Sequence, residues 1–125
     1  MRKLGEYKYL VNFYEVHETT SSIYIVLEYI SGGELSQFLM VNKVFKEAVV
    51  RKVMQNLLLL VFYMQYKGVM HRDIKPNNLM LKDRTKIHNI CLIDFGLSTF
   101  VNIDKYTYSF CGTPGYVAPE ILRKR

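Results

Sequence analysis

At 125 residues, 50% of them apolar and 14% aromatic, the chain suits one small packed domain and not a disordered segment. Its net charge of +6 comes from scattered cations that cluster only at Arg123-Lys124-Arg125, which argues against a nucleic-acid-binding stripe. The longest apolar run, Leu57 to Met64, falls far short of the ~20 residues of a membrane span, and the opening MRKLGEYKYL holds no apolar leader.

In chain order, Tyr9 to Val16 and Ile23 to Tyr29 are rich in β-branched and aromatic residues, with the polar stretch HETTSS between them. That composition predicts two antiparallel strands. Ser31-Gly32-Gly33 interrupts the pattern, and Leu35, Phe38 and Leu39 then recur at helical spacing. A longer helix is expected from about Lys46 to Lys67, closed by Gly68. Its first half carries one apolar stripe (Val50, Val53, Met54, Leu57), whereas its second half is apolar on every side and predicts burial all round. Leu79 to Leu81 and Ile90 to Ile93 read as short strands around a polar turn. Everything after Gly96 reads as loop, with Pro114 and Pro119 set against helix. The order predicts an α+β fold. Cys91 and Cys111 follow no disulfide or metal spacing, so free thiols in a reducing, cytoplasmic setting are expected. His17 and His88 are read as surface residues.

The densest chemistry lies in HRDIKPNN, residues 71 to 78. Asp73 on a turn can orient a hydroxyl nucleophile and accept its proton. Lys75 can neutralise a phosphoryl group in transfer, and Asn78 offers an amide oxygen to a metal ion. Three such groups on one loop fit phosphoryl transfer, in which positioning and charge stabilisation supply most of the catalysis. Pro76 stiffens the loop between them.

Together with Asp94-Phe95-Gly96 and the run GTPGYVAPE over 112 to 120, this stretch resembles the signature set of eukaryotic protein kinases. Lys75 and Thr113 resemble the serine/threonine type, and the wording GGEL, DFGLS and CGTPGYVAPE is most similar to the calcium/calmodulin-dependent branch. The resemblance implies a partial protein kinase-like fold, with small-lobe strands and hinge over 1–30 and a large-lobe portion over 31–125. It also implies ATP and Mg2+ as cofactors, protein substrates carrying Ser or Thr hydroxyls, and an upstream activating kinase as partner, with neither nucleic acid nor membrane. By the same resemblance Asp73 is the catalytic base, Lys75 contacts phosphate, and Asn78 and Asp94 hold magnesium. Leu27 takes the gatekeeper position, and the Glu28-Tyr29-Ile30 backbone meets adenine over a floor made by Met80. Glu34 reaches the ribose hydroxyls; as a bare residue its alternative reading is a helix-start carboxylate. His71 packs under Phe95, and Thr113 contacts the catalytic loop. Arg72 meets a phosphate on the activation loop, carried by Ser109 ahead of Thr107.

The sequence departs from the family in three places: Asn77 replaces a common glutamate, Tyr7-Lys8 replaces His-Pro, and the Lys82 to Asn89 turn is slightly long. No GxGxxG occurs, and neither the family's lysine that pairs the α/β-phosphates nor the glutamate that pairs with that lysine is found. The resemblance therefore implies a kinase domain cut at both ends and inactive by itself, or else a non-catalytic binding or regulatory module.

Overall fold

The first two strands form a hairpin. Phe13–Glu18 (β1) pairs antiparallel with Ile23–Leu27 (β2) in a computed structural model that describes residues 1–42, 44–101 and 110–123. Thr19 fastens the turn, its N–H donating to the Ser22 carbonyl at 2.9 Å and its hydroxyl accepting the Ser22 N–H at 3.1 Å. The hairpin starts later than expected because Tyr9 to Val11 have another partner. The Tyr9 carbonyl accepts the Leu92 N–H at 2.8 Å, and the Val11 N–H donates to the Leu92 carbonyl at 3.1 Å. Their apolar side chains are buried against the rest of the chain instead of continuing the ladder.

Helix α1 covers Leu35–Val41, with Glu34 in extended conformation at its N-cap. Helix α2 covers Glu47–Tyr66. Glu47 lies in its first turn, where the helix dipole favours a carboxylate, and pairs with Arg51 at 2.6 Å. Gly68 ends it in the left-handed conformation that glycine alone adopts without Cβ strain, at φ +66°. Strand β3 (Val69–Met70) pairs with β6 (Thr99–Phe100), and β4 (Leu79–Leu81) pairs with β5 (Ile90–Leu92) in the register Met80 opposite Cys91. A 3-10 turn over Pro76–Asn78 leads into β4.

Leu60 of α2 and Leu81, Ile90 and Leu92 of the β4–β5 hairpin are completely excluded from solvent and centre the core. Asn56 braces it: its carboxamide accepts the Tyr9 hydroxyl at 2.8 Å and donates to the His88 carbonyl at 2.6 Å. Tyr7 stacks on Tyr63 with centroids 3.9 Å apart. The N-terminal segment, α2 and the hairpin turn thus become one body.

Two expectations are corrected. The second half of α2 is not enclosed: among the described residues Leu60 and Met64 are buried, whereas Leu58, Phe62 and Tyr66 face solvent. The segment after Gly96 is not all loop, since it supplies β6 and a short helix α3 over Pro119–Leu122. Pro119 sits in the first helical turn, where its missing N–H has no intrahelical partner to lose. Among the described residues no helix is long and apolar enough to cross a membrane.

Candidate active site

The loop from β3 to β4 carries residues 71 to 78. His71 anchors it from below, 2% exposed, with its ring edge-on to Phe95 at 4.8 Å. The Asp73 N–H donates to His71 Nδ1 at 3.3 Å, so the ring proton resides on Nε2, which donates to the Ile93 carbonyl at 3.0 Å. Burial is the largest influence on this imidazole and lowers its pKa, keeping it neutral against the opposing pull of the Ile93 carbonyl, Asp94 and Asp73. Arg72, at φ +69°, turns the chain sharply and is held by a hydrogen bond from its Nε to the Leu97 carbonyl at 2.6 Å.

That turn presents Asp73, buried yet fully satisfied. Its Oδ1 accepts the Thr113 hydroxyl at 2.6 Å, and its Oδ2 accepts Lys75 Nζ at 2.9 Å and Asn78 Nδ2 at 3.0 Å. Lys75 also donates to the Thr113 hydroxyl oxygen at 2.5 Å, closing a ring of three side chains. The Thr113 bond leads in holding the Asp73 carboxyl below its usual range, with Lys75 and Asn78 adding to it and burial opposing. Thr113 thus lies against the loop of residues 71 to 78.

Asn78 and Asp94 come together through the backbone: the Ile93 N–H donates to the Asn78 carbonyl at 2.9 Å, which sets Asp94 beside the loop. Asp94 is exposed, at φ +57°, with its carboxylate accepting the Gly96 N–H at 3.1 Å. The Asn78 amide nitrogen is committed to Asp73, donating to both its carbonyl (2.8 Å) and its carboxylate, so the amide oxygen is the atom it has to offer. Among the described residues no three His, Cys, Asp or Glu side chains form a metal cluster. One carboxylate and one amide oxygen nevertheless fit magnesium, a hard ion that takes few protein ligands and completes its shell with water and phosphate oxygens.

On the other side of the site, Leu27, Ile30 and Met80 meet in one apolar cluster with Val11, Cys91 and Ile93. Cys91 stands opposite Met80 in the hairpin, and burial pushes its thiol up to about 12, so it is an inert packing group. Tyr29 points outward, 89% exposed. Glu34 bridges by backbone to Met80, and its carboxylate accepts the Ser36 hydroxyl at 2.7 Å. The sequence reading missed Lys82, whose ammonium grips the Glu28 carboxylate at 3.2 Å across 54 residues. The hairpin turn between β4 and β5 was the one available signal for it. Thr107 and Ser109 lie outside the described residues.

The whole chain, residues 1–125, matches the family model described as protein kinase domain. It is 40% identical over 117 residues to a probable serine/threonine-protein kinase 2 of Plasmodium falciparum (isolate K1 / Thailand), covering 94% of this chain and 23% of that protein. It is 42% identical over 113 residues to a probable myosin light chain kinase of Dictyostelium discoideum, covering 90% of this chain and 36% of the relative. CBL-interacting serine/threonine-protein kinase 19 of Arabidopsis thaliana is 42% identical over 123 residues, covering 93% of this chain and 24% of the relative. The chain therefore spans about a quarter to a third of the length of these curated relatives.

Proposed function

This chain belongs to the protein kinase domain family, and from that membership we propose that it carries the catalytic centre of an ATP-dependent serine/threonine kinase. Residues 1–30 are small-lobe strands and hinge, and residues 31–125 belong to the large lobe. The observation that carries the reading is the closed ring of Asp73, Lys75 and Thr113, with Asn78 on its flank.

In this reading Asp73 accepts a hydrogen bond from the substrate's Ser or Thr hydroxyl and aims its oxygen at the phosphoryl group. A carboxylate whose pKa its donors lower is a weaker base, so its main work is orientation, and the proton moves to it late in the transfer. Lys75, already drawn to the same point, offers positive charge where negative charge develops. Asn78 and Asp94 hold magnesium. Leu27, Ile30 and Met80 enclose the adenine, the backbone of Glu28 and Ile30 bonds its edge, and Glu34 meets the ribose. Bound Mg-ATP supplies the phosphoryl group and the cationic screening of its oxygens. The partners are protein substrates and an activating kinase that phosphorylates Ser109, with Arg72 as the counter-charge.

The test is transfer of radiolabelled phosphate from ATP to serine- and threonine-containing peptides by the longest natural chain that includes these residues. Asp73→Asn should lower kcat about 100- to 10,000-fold while ATP still binds. Residues 1–125 alone should give no transfer. Absence of transfer by that chain, with ATP bound, would turn the assignment to a non-catalytic binding module.

A further inference from the structure

The end of the β1–β2 ladder holds a substitution of one acceptor for another. The Glu28 N–H donates to the Asn12 carbonyl at 2.9 Å, as it should where two antiparallel residues face each other in a hydrogen-bonded pair. The reciprocal bond, from the Asn12 N–H to the Glu28 carbonyl, is not made. Instead the Asn12 N–H donates to the Glu28 side chain, to Oε2 at 3.2 Å. The carboxylate is held in place by Lys82 Nζ, 3.2 Å from Oε1 and 3.4 Å from Oε2, with both side chains more than three-quarters buried. A main-chain N–H needs an acceptor, and here the side chain provides one, so the ladder stops one bond early. The other end of the segment is tied as well. The Leu81 N–H donates to the Gly33 carbonyl at 2.8 Å, and Arg84 Nε donates to the Gly32 carbonyl at 3.0 Å. Among the described residues, the Glu28 carbonyl is thus left without a backbone partner at the rim of the Leu27–Ile30–Met80 cluster.

We propose that the Glu28 side chain, braced by Lys82, is a positioning residue that keeps the Glu28 main-chain carbonyl free to accept a hydrogen bond from the exocyclic amino group of adenine. The inference rests on the reading of this cluster as the adenine site. It adds that the cluster selects for the amino group through a side chain that never touches the nucleotide.

The experiment compares equilibrium binding of ATP and of purine riboside triphosphate, which lacks the amino group, to the longest natural chain containing these residues. Wild type should prefer ATP by up to about tenfold, the worth of one hydrogen bond. Glu28→Leu removes the surrogate acceptor, so the Asn12 N–H turns to the main-chain carbonyl and the preference falls to near unity. Glu28→Gln keeps an acceptor oxygen and should keep the preference. Lys82→Met, which leaves the carboxylate unanchored, should lose about half of the preference or more, and it decides the matter if Glu28→Leu does not fold. An unchanged ATP preference in Glu28→Leu, or in Lys82→Met where that variant decides, overturns the proposal. Failure of both nucleotides to bind wild type overturns the adenine-site reading on which it rests.

Discussion

Asp73 is a buried carboxylate surrounded by three donors, and each donor has a separable consequence. Thr113 gives the largest of them, so Thr113→Val should raise the Asp73 pKa toward the ordinary aspartate range and move the acid limb of the kcat pH profile upward. A profile that loses height without moving would assign Thr113 to packing alone. His71 makes the opposite kind of statement. Its folded-state pKa lies below the ordinary value near 6.5, so the unfolded chain takes up the proton first as pH falls. Its contribution to stability is fully present above that value and is lost progressively below it. The melting temperature should therefore drop between pH 7 and pH 5, and His71→Phe should flatten that dependence. Protonation of the folded state, which sets in at lower pH than that of the unfolded chain, would also place a proton on Nδ1 against the Asp73 N–H, so the aspartate would lose that anchor. The positive φ of Arg72 and of Asp94 stores about 1–3 kcal/mol each, at the two turns that aim the candidate catalytic and metal-binding carboxylates.

At the scale of elements, the linker before α1 and strand β4 approach too closely for a side chain. A Cβ on Gly32 would lie 1.9 Å from the Leu81 carbonyl oxygen, which is backbone and cannot swing away. Gly32→Ala should therefore destabilise the fold by about 3 kcal/mol or more, measured as a shift in the denaturation midpoint. The two glycines were visible in the sequence as a break. That one of them is required by a strand 49 positions later was not, because sequence periodicity reports which face of an element is apolar and not which element covers it. Helix α2 makes the same point. Its extent and its Gly68 stop were legible from spacing and capping, and both are found close to the expected ends. Its all-round apolar second half was read as buried, yet Leu58, Phe62 and Tyr66 are exposed, since composition alone cannot supply the neighbours.

For the molecule as a whole, that exposed helix face is one of several apolar surfaces. Val50, Met54, Leu57, Ile74, Leu79 and Tyr116 are among the walls of an apolar groove of about 280 Å³ between α2 and the loop of residues 71 to 78. Tyr14, Ile23 and Ile25 are exposed on the hairpin, in a sheet that has two strands among the described residues. Apolar area of this kind binds hydrophobic dyes and drives association. Residues 1–125, prepared alone, should enhance the fluorescence of such a dye strongly and run larger than a monomer in gel filtration. A dye-silent monomer with a sharp melting transition would contradict this.

The motif HRDIKPNN made phosphoryl transfer the expectation without any structure, because that chemistry needs a carboxylate, a cation and an amide oxygen on one loop, and local spacing sets which side chains share it. The β1–β2 and β4–β5 hairpins and helices α1 and α2 followed from local rules of propensity and capping, and the family from its motifs, whereas α3 and β6 lay in a stretch read as loop. Only the tertiary structure decided how those groups are tuned: that Thr113, 40 residues away, holds Asp73 ionised, that His71 keeps its proton on the nitrogen facing Ile93, and that Lys82 reaches back to Glu28. These are long-range electrostatic and hydrogen-bond contacts, and they arise when burial removes water as the competing partner, a condition that no local stretch of sequence expresses.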